Sequence, residues 1–143
     1  MKHLLSLSLA FIMIVGSISV GNAQTVKKAT TQTSASNKIM VYYFHFSRRC
    51  NTCMSVEATA KQALETIYPD KVKKGEYTFQ SLNLDDESSK AIAEKLGVGG
   101  QTLLVVCDDK KIDLTDKGFM NAHDLEKMKI EIKKAIEQLA KKQ

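Results

Sequence analysis

Cys50 and Cys53, separated by Asn51 and Thr52, carry the strongest chemical signal in the chain. Two thiols at this spacing can share a disulfide and pass it on. They stand where the β-branched and aromatic run Ile39–Phe46 gives way to a helical pattern, from about Cys53 to Tyr68. A thiol at a helix N-terminus meets the positive end of the helix dipole, which favours thiolate over thiol. Arg48 and Arg49 immediately precede Cys50 and push the same way. The thiolate is the species that attacks a disulfide, so the pattern is one of exchange chemistry. Cys-x-x-Cys is also half of many zinc sites.

A zinc site needs four ligands. The other candidates outside the N-terminal segment are His45, Cys107 and His123. Cys107 ends a strand that begins near Gln101, about 20 Å away at roughly 3.3 Å per residue. It reads as a buried, inert thiol, and His123 as a surface residue before the last helix. Single-chain structural zinc is therefore not expected. The two cysteines with His45 can still hold a soft ion such as Cu(I) or an arsenite-like species. His45 shares a strand face with Val41 and Tyr43. A packed core histidine is the preferred reading there, with a proton shuttle or third metal ligand as the functional one.

The elements that position these residues follow from periodicity. After the first strand and helix, Lys73–Glu76 reads as a turn and Tyr77–Leu84 as an alternating strand with one irregular step. Asp85 and Asp86 are candidate caps for a helix with Ala91, Ile92 and Leu96 on its apolar face, ended by Gly97. Thr102–Val106 is a continuous apolar strand, the pattern of burial on both faces. A turn at Asp108–Lys110 leads to an edge strand over Lys111–Thr115. The last helix spans about Asp124–Lys141, with Leu125, Met128, Ile132, Ile136 and Leu139 at helical spacing. The methionines here are core filler. The order β-α-β-α-β-β-α predicts an α/β fold with helices on both faces of a mixed sheet.

The N-terminus reads as an export signal. Lys2 and His3 open it, Leu4–Val15 is apolar but for Ser6 and Ser8, and Gly21-Asn22-Ala23 offers small residues for cleavage after Ala23. The apolar stretch is short against the roughly 20 residues that span a bilayer, so an uncleaved anchor is the lesser reading. No cysteine follows the cleavage site, which argues against a lipoprotein. Residues 24–37, rich in Thr, Ser, Lys and Ala, predict a disordered linker. Residues 38–143 then form one domain. Residues 1–23 contain Lys2 as their one charged group, so cleavage lowers the net charge from +5 to +4. The lysines are scattered and form no stripe, so nucleic acid is a poor partner. A monomer is expected. In an exported compartment, the periplasm of a Gram-negative cell by this reading, disulfides persist.

Motif and element order together resemble the thioredoxin superfamily over nearly all of residues 38–143. The resemblance implies a three-layer α/β/α sandwich and a redox-active Cys50–Cys53 disulfide with no other cofactor. It casts Cys50 as the attacking and Cys53 as the resolving cysteine. Gln101-Thr102-Leu103-Leu104 is similar to the Pro-Thr-Leu-Leu strand that faces the dithiol in that superfamily, so Gln101 and Thr102 are expected to line a groove for a protein thiol or disulfide partner. Tyr42-Tyr43-Phe44-His45 with Arg49-Cys50-Asn51-Thr52-Cys53 resembles, more narrowly, the exported "nitrophenyl compound nitroreductase subunit ArsF family". Three departures stand out. Gln101 occupies the place of the cis-proline, and the chain's one proline is Pro69. Arg49 replaces a frequent tryptophan. Phe44 replaces the buried acid that helps deprotonate the second thiol. A cis bond before Gln101 would cost roughly 2.5–4 kcal/mol, so a trans bond is expected. The missing proline favours the alternative of a non-enzymatic soft-metal or metalloid binder, or a redox subunit of a larger complex.

Overall fold

A computed structural model describes residues 38–141. The predicted signal segment and linker lie outside them. The elements are β1 (Ile39–His45), α1 (Asn51–Ile67), α2 (Pro69–Lys73), β2 (Tyr77–Asn83), α3 (Glu87–Leu96), β3 (Thr102–Cys107), β4 (Lys110–Asp113), α4 (Thr115–Met120) and α5 (Leu125–Lys141). The strands form one mixed sheet in the order β2-β1-β3-β4. β2 runs parallel to β1, whereas β3 is antiparallel to β1 and β4 to β3. The parallel pair needs a crossover, which α1 and α2 supply. The chain is thus α/β, as its periodicities predict.

Alternation along β1 and β3 divides the sheet into two faces. Ile39, Val41, Tyr43, Leu103, Val105 and Cys107 face α1 and α5, which present Val56, Ala60, Ala63 and Leu64, and Met128, Ile132, Ala135, Ile136 and Leu139. Both helical sets recur at three- and four-residue spacing, so each helix buries a single stripe. The other face carries Phe44, Leu104 and Val106, all buried. Lys111 pairs with Val106 across β3–β4, and its ammonium donates to the Leu96 carbonyl oxygen at the end of α3. That contact places α3 on this second face, where its buried residues are Ser89 and Ala93. Every residue of β3 from Leu103 to Cys107 is buried, as a strand covered on both faces requires.

Two short helices depart from the predicted order. Pro69 does not merely end the first helix. It occupies the opening of α2, where a fixed φ and a missing N–H cost nothing. Thr115 does not extend the edge strand; it begins α4. The Asp113 carboxylate accepts from the Thr115 amide at 2.8 Å and hydroxyl at 2.6 Å, turning the chain out of the sheet. Gly118 then lets α4 lie close on β3, since a Cβ there would sit 2.9 Å from Leu103 Cδ2. Five- and six-residue helices are too short to display a helical period, so local packing and caps reveal them where the sequence pattern does not. Gly97 ends α3 in the left-handed conformation, with φ 65°. Asp86 precedes α3 but makes no side-chain cap bond. No described helix is long and apolar enough to cross a membrane.

Candidate functional site

α1 begins two residues earlier than its apolar pattern suggests, and this shift puts Cys50 at the N-cap. Cys50 is extended (φ −83°, ψ 162°), and its Sγ accepts the Cys53 amide hydrogen at 3.2 Å. A cap with sulfur in the place of oxygen satisfies one of the four unpaired N–H groups of the first turn. Cys50 and Cys53 form a disulfide with Cα atoms 5.1 Å apart. Cys50 is exposed, whereas Cys53 is only 6 % exposed. One sulfur therefore meets solvent and the other meets the protein.

What Cys53 meets is a small polar network. The Tyr43 hydroxyl donates to the Cys53 carbonyl oxygen at 2.9 Å. The Gln101 amide nitrogen donates to the Tyr43 oxygen at 2.5 Å, and Gln101 Oε1 lies 3.6 Å from Cys53 Sγ. Tyr43 is fully buried, and a buried phenol usually finds such partners. Burial pushes its hydroxyl pKa up, partly opposed by the Gln101 hydrogen bond and the Arg49 charge. The peptide bond before Gln101 is trans, as expected for a non-proline residue.

The two predicted thiolate-stabilising arginines are placed differently. Arg48 is exposed. Arg49 folds back over the Tyr43 ring, 5.8 Å from its centroid, and forms an ion pair with Glu57 on α1. Burial pushes Glu57 up, but hydrogen bonds from Arg49 and Ser81 and the Arg49 charge outweigh it and hold the carboxyl below its ordinary value. Arg49 thus reaches the site as half of a pair, and Glu57 offsets much of its field.

Gln101 and Thr102 part company. Gln101 points at the disulfide. Thr102 pairs with Phe44 on the second face, its hydroxyl donates to the Gly100 carbonyl oxygen at 3.0 Å, and it lines a cavity of about 230 Å³ with Val98, Leu104 and Lys111. His45 hydrogen-bonds the Phe46 carbonyl oxygen at 3.0 Å through Nδ1, and its ring lies 6.1 Å from that of Tyr43. Among the described residues no three of His, Cys, Asp and Glu are gathered as a metal ion would need. Cys107 is buried at the far end of β3, paired with Ile39, and stands apart from the site as expected.

The loop before Cys50 is anchored by residues that the sequence pattern assigned elsewhere. Asp85 accepts the Ser47 amide at 2.7 Å instead of capping α3, and Asn83 donates to the Ser47 hydroxyl at 2.9 Å. The Ser47 hydrogen bonds hold the Asp85 carboxyl below its ordinary value. Tyr43 and Glu57 were legible in principle. Tyr43 is a phenol on the helix-facing side of a buried strand, and Glu57 stands four residues after Cys53, on the same helix face.

No protein-family model matches the chain, and no curated protein matches it in sequence.

Proposed function

We propose that the protein is an exported thiol–disulfide oxidoreductase of thioredoxin-like, three-layer α/β/α architecture. The observation that carries this reading is the asymmetry of one disulfide. Cys50 is exposed at the N-cap of α1 and accepts an amide hydrogen bond, while Cys53 is buried one turn inside. In the reduced protein the Cys50 thiolate attacks a partner disulfide. A bond forms between Cys50 and one partner sulfur, and the other leaves as a thiolate that takes a proton from water. Cys53 then loses its proton to water and attacks Cys50 Sγ. The mixed disulfide breaks, the Cys50–Cys53 bond forms, and the partner departs reduced. The reverse sequence oxidises a dithiol partner.

The partner is a protein thiol or disulfide. Phe46 and Met54, both large and exposed, flank the cysteines in sequence and supply apolar surface for docking. The exported setting, the Gram-negative periplasm, rests on the N-terminal signal pattern, and there the protein acts as a monomer. Oxidised glutathione provides a defined test. Reduced Cys53→Ser should gain one stable glutathione on Cys50, visible by intact-mass measurement. Reduced wild type should pass through that adduct and close its disulfide. A wild-type adduct as stable as that of Cys53→Ser would overturn the resolving role of Cys53.

A further inference from the structure

The Tyr43 hydroxyl has one hydrogen, and it is committed to the Cys53 carbonyl oxygen. Toward Gln101 it can therefore only accept. That demand turns the Gln101 NH₂ group to Tyr43 and leaves Oε1 on the side of Cys53 Sγ. We infer that Tyr43 is a positioning residue that holds the Gln101 amide so that an acceptor, never a donor, faces the sulfur of Cys53. In the disulfide that sulfur bears no hydrogen and the acceptor is idle. On reduction Cys53 gains a proton, and its S–H can donate to Oε1. An acceptor favours the protonated form of a thiol, whereas a donor favours the thiolate. Cys50 receives the opposite treatment, because the Cys53 N–H donates to its sulfur. The two sulfurs of one disulfide thus meet opposite polarity, Cys50 a backbone donor and Cys53 an acceptor that Tyr43 holds in place through Gln101.

The charged groups around Cys53 do not override this. Arg49 lies over the Tyr43 ring and favours thiolate, but it is paired with Glu57, one turn along α1, which disfavours it. His45 lies against the Tyr43 ring. From the segment that leads into β3 the facing residue, Gln101, is neutral. The consequence for catalysis, that Cys53 waits as a thiol until the mixed disulfide has formed, rests on the proposed exchange reading. The polarity itself does not.

The test uses the full chain with Cys50→Ser and Cys107→Ser, which leaves Cys53 as its one cysteine. Iodoacetamide alkylation against pH should give a midpoint above the ordinary thiol value of about 8.5. Adding Tyr43→Phe removes the hydroxyl and lets the amide turn its NH₂ to the sulfur, so the midpoint should fall by about one pH unit, a tenfold gain in thiolate below the midpoint. In a Gln101→Leu background the same Tyr43→Phe change should have no effect, since no amide remains to turn. A merely structural role for Tyr43 would shift both backgrounds alike, and that result, or no shift in either, would overturn the inference. If Tyr43→Phe does not fold, the S–H stretching band decides. It should lie at the frequency of a hydrogen-bonded thiol with Gln101 present and rise in Gln101→Leu; an unmoved band refutes the contact. Failure here with normal glutathione resolution would sink the positioning role alone. Failure of glutathione resolution would sink the exchange reading instead.

Discussion

The two ends of the β1–β3 pair each hold a buried sulfur, and they treat it differently. At one end Ile39 pairs with Cys107, amid Val105 and the apolar residues of α5. At the other, Phe44 pairs with Thr102, and Tyr43 and Gln101 bring hydroxyl and amide groups to Cys53. Both cysteines are nearly inaccessible, 2 % exposed for Cys107 and 6 % for Cys53. Burial is thus not what separates them. The difference lies in the helix that begins at one end and in the partners within reach of its first turn. Cys53 lies in the first turn of α1 with Cys50 as its disulfide partner, whereas Cys107 closes a strand with the Asp108 carboxylate 3.9 Å from its sulfur.

The comparison breaks most visibly in thiol exchange. Cys50→Ser should abolish reaction with oxidised glutathione, whereas Cys107→Ser should leave its rate within a factor of about two, by the separation of the sites. Stopped-flow measurement of both variants decides this, and loss of exchange in Cys107→Ser would mean that the far end takes part in the chemistry.

Stability should show the reverse pattern. Ile39→Ala opens space in the core beside Cys107 and should cost about 2–5 kcal/mol of unfolding free energy in urea melts. Its glutathione exchange rate in the folded state should not change. An Ile39→Ala protein with native stability would show that this end of the sheet is not the packed end.

Acidity sharpens the contrast between the sulfurs. In fully reduced wild type, Cys50 should be alkylated first, with a midpoint below about 7.5, because its N-cap position favours thiolate. Cys107 should react only when the protein unfolds. Mass mapping of alkylated peptides across pH gives the order. A Cys50 midpoint near that of a free thiol would remove the helix terminus from the account.

The smallest effect concerns Glu57. Its folded value is depressed, so its pairing contributes stability above the ordinary carboxyl value of 4.5 and loses it as pH falls through the lower folded value. Glu57→Gln should therefore weaken the protein by less than about 1 kcal/mol at pH 7, since the pair is partly solvated, and the gap to wild type should close in acid. A difference that grows on acidification would reverse that sign and place the stabilising charge elsewhere.

Much of this was readable along the chain. The alternation of β1, the continuous burial of β3, the apolar stripe of α5 and the glycine that ends α3 are local patterns, and each appears where its pattern predicts. Cys50 at the start of α1 follows from the same kind of reading, although the helix opens at Asn51 and not near Cys53. The capping side chain is itself a cysteine, so the usual Ser, Thr, Asp or Asn signal was absent. α2 and α4 escaped because one turn of helix has no periodicity to detect. Asp85 escaped because two adjacent aspartates before a helix look like caps, and only the approach of Ser47 shows which task Asp85 performs.

The sequence by itself determined the four strands, the three longer helices and that two thiols would share one helix terminus, because covalent spacing carries those facts over a few residues. Tertiary structure alone decided how the thiols would differ. Tyr43, Cys53 and Gln101 are far apart in the chain and meet because antiparallel pairing sets Phe44 against Thr102, which brings Gln101 level with the end of β1. Arg49 finds Glu57 because the loop after β1 folds back along α1. Hydrogen-bond polarity depends on which donor reaches which acceptor, and that is fixed by strand register and helix placement, not by any local pattern of residue types.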